Sequence, residues 1–168
     1  MINLKHVLVF LKYKDEILLL NRNKPFWMGC WNGVGGKIEK GESPVEAAIR
    51  ETYEETGIKV DIKNDYYRVA WYVRGDKDSL GGMYVFIHEV DKKIRTPKRS
   101  VEGILDYKKI DWILNPMNSG ISKNIPVFLP TFLNNEKIDY ITIYGDKFDD
   151  LEIVKKVNLD NLKESDLC

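Results

Sequence analysis

The stretch that decides the fold is GKIEKGESPVEAAIRETYEETGI, Gly36 to Ile58. Its centre reads as a helix over Pro44–Thr56. Ser43 supplies a capping hydroxyl, Pro44 suits the first helical position, and Glu46 follows three residues after the cap. Val45, Ala48, Ile49, Thr52 and Thr56 recur at helical spacing, and Gly57 ends the run as a left-handed cap. Glu51, Glu54 and Glu55 lie at i, i+3 and i+4, so three carboxylates crowd one face. Like charges at these spacings cost a helix roughly 0.2–0.5 kcal/mol per pair, and the macrodipole adds to that near the C-terminus. On this face alone, a solvated acidic stripe and a functional cluster are equally good readings.

The segment before the helix favours function. Gly33-Val34-Gly35-Gly36-Lys37 lets backbone groups approach a ligand without Cβ obstruction. Clustered carboxylates beside such a loop suit a hard divalent cation, and Mg²⁺ in particular shares its oxygen ligands with substrate phosphates. That combination fits displacement at phosphorus.

Upstream, the apolar runs Val7–Leu11 and Ile17–Leu20 flank Tyr13-Lys14-Asp15 and read as a hairpin covered on both faces. Downstream, Tyr66–Arg74 and Met83–Val90 read as strands, with Gly75–Gly82 as the loop between them. Val101–Ile110 is a further expected strand. Ile121, Ile125, Phe128, Leu129 and Phe132 have helical spacing that Pro126 and Pro130 must start or kink. Residues 138–144 and 151–157 suggest a closing hairpin around Gly145-Asp146. The expected architecture is an α/β (α+β) single domain over residues 1–168, a mixed sheet between helices with an added C-terminal β-hairpin at about 138–157.

Composition narrows the partners. The 168 residues balance 26 Lys and Arg against 26 Asp and Glu, which argues against a broad electrostatic footprint for nucleic acid or an anionic membrane. The apolar runs are too short to span a bilayer, and no signal peptide is read, so a cytoplasmic location is expected. The two cysteines, Cys30 and Cys168, give neither a disulfide framework nor a metal-ligand spacing, and Cys30 reads as a packing residue in preference to a reactive thiol. His6 and His88 stand singly in apolar strands and receive no role.

Gly36 to Ile58 resembles the Nudix box, G-x5-E-x7-R-E-U-x-E-E-x-G-U, where U is a bulky apolar residue. Gly36, Glu42, Arg50, Glu51, Glu54, Glu55, Gly57 and Ile58 fall in register, and Thr52 at the first U is the one departure. The resemblance implies the Nudix fold and hydrolysis of a nucleoside diphosphate linked to another group. It implies Glu51, Glu54 and Glu55 as ligands of Mg²⁺ (or Mn²⁺), with the Gly35 carbonyl beside them. Arg50 would orient the glutamates and Glu42 would brace the loop. The base is left open between a box glutamate and one from a later loop. Glu102 is expected to complete the metal site, with a solvated residue before Gly103 as the equal alternative.

Trp31–Lys37, WNGVGGK, is similar to the segment before the box in MutT-like hydrolases of oxidised purine nucleotides. By that likeness Asn32 reads the purine and Arg22 lies near the substrate, with Lys37 and Trp31 as further contacts; the plainer reading of Asn32 is a turn residue. Phe26, Trp27 and Trp31 are candidates to stack a base, with core packing as the alternative for each. Asn115 and Asn118 could contact it from a later loop. The expected activity is cleavage of 8-oxo-dGTP or a related triphosphate to monophosphate and diphosphate. Alternatives are a dinucleoside polyphosphate, capped RNA, or a nucleotide-sensing domain without hydrolysis. The expected state is a monomer or homodimer, and the closing hairpin either covers the site or makes the dimer.

Overall fold

In the computed structural model, which describes residues 2–25, 27–146 and 150–167, the first strand, β1 (His6–Tyr13), organises the sheet. One edge of β1 pairs in parallel with β6 (Asp76–Glu89) along its length, from His6↔Met83 to Lys12↔Glu89. The other edge changes partner. Leu11–Tyr13 pair with β2 (Glu16–Arg22), whereas His6–Val9 pair with β4 (Val34–Lys37). A short β3 (Trp31–Asn32) pairs with β2. The β4-paired stretch of β1, His6 to Leu8, lines a cavity.

The remaining strands are β5 (Tyr67–Val73), β7 (Lys98–Arg99), β8 (Gly103–Lys109), β9 (Asp139–Tyr144) and β10 (Leu151–Val157). The sheet runs β10-β9-β5-β6-β1-β2-β8-β7. The expected mixed sheet between helices is therefore present. α1 (Pro44–Thr56) covers one face, against Val7, Val9, Leu11 and Leu18. α3 (Ile125–Leu133) covers the other, against Leu8, Phe10, Ile17 and Leu19. Burial on both faces explains why β1 and β2 are almost continuously apolar. A single-turn α2 (Ile110–Ile113) follows β8. Among the described residues, no helix is long and apolar enough to cross a membrane.

Two strand expectations need correction. Gly75–Gly82 is not a loop, because β6 begins at Asp76 and pairs with β5 from there (Val73↔Asp76). Gly81 lies under the Trp71 indole, where a Cβ would stand 2.7 Å from Nε1, so the glycine serves close packing and not a turn. The strand expected from Val101 starts at Gly103, which leaves Glu102 on the turn closed by Ser100 N–H to the Gly103 carbonyl (2.8 Å). The closing hairpin is present as β9 and β10, and β9 also joins β5 in parallel (Val73↔Tyr144), making it part of the main sheet.

α1 begins with a full capping box. Glu46 N–H donates to Ser43 Oγ (3.2 Å), and Ser43 N–H donates to Glu46 Oε2 (2.8 Å). Its last turn contains no basic residue, yet Lys98 on β7 donates to the Thr56 carbonyl at 2.8 Å and supplies the missing positive charge. Thr52 is fully buried, as its position in the box demands, but its Oγ1 has no hydrogen-bond partner among the described residues. A buried hydroxyl without a partner costs about 1–3 kcal/mol. Thr52→Val keeps the shape and removes that cost. It should raise unfolding stability by about 1 kcal/mol in a urea titration, and a destabilised variant would show that the hydroxyl is satisfied.

Candidate active site

Arg50 projects from α1 back toward β4, and all five of its N–H donors are engaged. Nε donates to Glu42 Oε1 (2.7 Å), and Nη2 to Glu42 Oε2 (3.0 Å) and the Lys37 carbonyl (2.9 Å). Nη1 donates to Glu51 Oε1 (2.9 Å) and Glu54 Oε2 (3.3 Å). One guanidinium thus ties the glycine-rich strand, the loop before α1 and the acidic face of α1 together. These bonds, with the Glu39 N–H, hold the Glu42 carboxyl down to about 2.

The other carboxylates are less compensated. Burial raises Glu51 above the usual carboxylate range although Arg50 opposes the shift. Glu55 is pushed up to about 8, chiefly by burial and then by the charges of Glu51 and Glu102, against a hydrogen bond from Gly35 N–H (3.1 Å) and the charge of Arg22. Gly36 makes room for this arrangement, because a Cβ there would stand 2.3 Å from Glu51 Oε1.

This cavity of about 830 Å³ beside β1 brings two groups of side chains together. Glu51, Glu54, Glu55 and Glu102 line it along with Gly35, Gly36, Lys37 and Arg22. Trp27, Trp71, Met83, Tyr144, Asn32 and Asn124 line it as well. Trp27 sits 6.1 Å from Tyr144 and His6 5.2 Å from Trp71, centroid to centroid. The loop carrying Trp27 is closed by Gly29 N–H to the Arg22 carbonyl (2.8 Å) and Arg22 N–H to the Cys30 carbonyl (3.2 Å). Those bonds hold Trp27 at φ 61°, a conformation uncommon for a bulky residue.

Asn32 has the turn role and also lines the cavity. Its Oδ1 accepts from Gly33 N–H (2.8 Å), the turn role, while the side chain still faces the cavity. Trp31 does not line the cavity. Its ring packs against the α3-side core and lies 4.3 Å from Lys108 Nζ, because successive side chains of a strand point to opposite faces. Asn115 and Asn118 form turn bonds with Met117 N–H and Gly120 N–H (2.9 Å each) and do not line the cavity. Phe26 and Cys168 lie outside the described residues.

The structure adds Asn124, Trp71, Met83, Tyr144 and His6 to the lining. Asn124 is nearly buried, and its Oδ1 has no hydrogen-bond partner among the described residues. It arrives through backbone bonds that dock the segment before α3 onto Trp31: Trp31 N–H to the Gly120 carbonyl (2.7 Å) and Ser122 N–H to the Trp31 carbonyl (3.1 Å). A buried, unpartnered polar atom on a residue that lines the cavity is the signal that marks it, and only the folded chain displays that.

The carboxylates also suit a cation. Among the described residues they form no cluster of three or more side chains placed to hold one metal ion together. Mg²⁺ needs none, since it takes one or two carboxylates and keeps waters for the rest. Burial, and after it the charges of Glu51 and Glu102, raise Glu55, and a divalent ion beside it would favour its ionised form.

The NUDIX domain profile matches residues 3–125. The oxidized purine nucleoside triphosphate hydrolase of Mus musculus is 31% identical over 108 residues, 64% of this chain and 67% of that protein. Among solved structures, a mutator MutT protein from Bacillus halodurans superposes with a TM-score of 0.70 at 26% identity, covering 90% of this chain and 95% of that one. A MutT protein from Methanosarcina mazei gives 0.63 at 26% identity, with coverage of 81% and 96%. The match to the domain profile, the box in register and the fold agree: this chain belongs to the Nudix family, among its MutT-like hydrolases of nucleotide acid anhydrides.

Proposed function

We propose that this chain is a Mg²⁺-dependent pyrophosphohydrolase of purine nucleoside triphosphates, with oxidised purines such as 8-oxo-dGTP preferred. The observation that carries this reading is the shared cavity, in which four glutamates and two cations meet three aromatic rings and two carboxamides. The likeness to the murine oxidized purine nucleoside triphosphate hydrolase supports it. The working unit extends to the C-terminal strands, because β9 lies beyond the matched 3–125 and contributes Tyr144.

In this reading Arg22 and Lys37 bind the phosphate chain, and Trp27 and Tyr144 offer an aromatic wall for the base. Glu51, Glu54, Glu55, Glu102 and the Gly35 carbonyl would hold divalent cations, one or two carboxylates to each, and these when bound would withdraw charge from the phosphate oxygens. Water attacks the β-phosphorus, the bond from that phosphorus to the α–β bridging oxygen breaks, and a glutamate takes the proton of the water. The products are the nucleoside monophosphate, which keeps the bridging oxygen, and inorganic pyrophosphate. Arg50 takes no part in bond making; it fixes Glu51 and Glu54 relative to β4.

The carboxamides explain a preference for oxidised guanine. Asn32 Oδ1 is committed to Gly33 N–H, so the amide presents its NH₂ as a donor, suited to a purine carbonyl. Asn124 Oδ1 needs a donor. Oxidation at C8 converts N7 from an acceptor to an N–H donor and so supplies one. Ordinary guanine leaves a lone pair facing Oδ1, and an unpaired buried group costs about 1–3 kcal/mol.

Glu54→Gln and Glu55→Gln should each lower kcat at least about 10²-fold, since each removes a charge worth several kcal/mol in the transition state. Thermal stability without metal should hold or rise, because crowding of the glutamates is relieved. A variant that unfolds, or that keeps normal turnover in Mg²⁺, would refute the metal assignment. Arg50→Lys retains the charge but cannot reproduce five directed bonds, and should cost about 10–100-fold in kcat/KM; parent-like kinetics would reduce Arg50 to a surface ion pair. For substrate choice, kcat/KM should favour 8-oxo-dGTP over dGTP by about tenfold or more, with dinucleoside polyphosphate and capped RNA poorer still. Asn124→Leu should erase most of that preference while leaving hydrolysis. Equal values for the two nucleotides in the parent enzyme would defeat the substrate claim.

A further inference from the structure

Glu102 faces the cavity from a turn, and its carboxylate already has a cationic partner. Lys24 Nζ lies 2.5 Å from Glu102 Oε1, with the Lys24 side chain 51% exposed and that of Glu102 29% exposed. The backbone under this pair is fixed independently of it. Asn23 N–H donates to the Glu102 carbonyl (3.0 Å), and Asn23 Nδ2 donates to the Val101 carbonyl (3.2 Å). Gly103 packs so closely on β2 that a Cβ would stand 1.9 Å from the Asn21 carbonyl oxygen. The Glu102 main chain is therefore clamped, and its carboxylate can change partner through side-chain rotation alone.

We propose that Lys24 is the counter-ion that Glu102 exchanges for the divalent cation, so that Lys24 sets how tightly the acidic site takes its metal. This rests on Glu102 being a ligand, as in the function proposed above. An ammonium in contact with a carboxylate oxygen and a doubly charged ion at the same carboxylate repel each other, so the two partners compete. Lys24 thus acts as a positioning residue. It neutralises Glu102 while the site is empty of cation and lowers the affinity for the ion by the strength of the pair that must break. Half-exposed pairs are weak, which makes the exchange readily reversible.

The test is calorimetric titration of Mn²⁺ alone, without nucleotide, into the parent protein, Lys24→Met, Lys24→Arg, Glu102→Gln and the Lys24→Met/Glu102→Gln double variant. Lys24→Met should tighten Mn²⁺ binding about two- to fivefold, and Lys24→Arg should remain near the parent. Glu102→Gln should weaken binding, and in that background Lys24→Met should give no further tightening. Unchanged affinity in Lys24→Met, beside weakened binding in Glu102→Gln, would overturn the exchange alone. Equal tightening with and without the Glu102 carboxylate would also overturn it, since it would reveal a general charge effect. Parent-like affinity in Glu102→Gln would remove Glu102 from the metal site and take the exchange with it.

Discussion

The five-donor embrace of Arg50 is the interaction on which the site depends. Three glutamates near the C-terminal end of a helix repel one another and the helix dipole, so α1 by itself has no reason to hold them together. The guanidinium offsets part of that repulsion by bonding Glu51 and Glu54. It also reaches Glu42 and the Lys37 carbonyl, which anchors the carboxylates to β4. Lysine has the same charge without the planar fork, and so cannot set four partners in one geometry. Arg50 does not reach Glu55: among the described residues Glu55 accepts from Gly35 N–H, and burial, followed by the neighbouring glutamates, disfavours its charged form.

The sheet gives this cluster a place to act. β1 pairs with β4 and then with β2 along one edge while staying on β6 along the other, and its β4-paired stretch, His6 to Leu8, lines the cavity with the carboxylates. Parallel pairing of β9 with β5 then brings Tyr144 to the same cavity, within 6.1 Å of Trp27. β9 thus contributes Tyr144 to the cavity as well as extending the sheet.

What was legible in the sequence was local. Ser43, Pro44, Glu46 and Gly57 mark both ends of α1 through caps that need only neighbouring residues, and the structure has the helix at those bounds. The acidic face follows from helical spacing in the same way. The lining residues of the aromatic part were less legible, because their assembly depends on pairings between distant strands. Asn124 and Tyr144 reach the cavity through contacts that no local pattern encodes. Trp31 adjoins Asn32 in sequence yet stands off the cavity, because the pleat of an extended strand turns neighbouring side chains to opposite faces. The glycines between 75 and 82 read as a loop, since a glycine required by the neighbouring Trp71 looks the same in sequence as one required by a turn.

The central claim is that one cavity holds a cation at its glutamates and an oxidised purine at its rings and carboxamides. A crystal structure with Mn²⁺ and a non-hydrolysable 8-oxo-dGTP analogue tests it most directly, with the metal located by anomalous scattering. The account predicts anomalous peaks among Glu51, Glu54, Glu55, Glu102 and the Gly35 carbonyl, with the base against the Trp27 and Tyr144 rings and its N7–H on Asn124. Metal bound away from those glutamates, or a base lying outside the ring cluster, would contradict it.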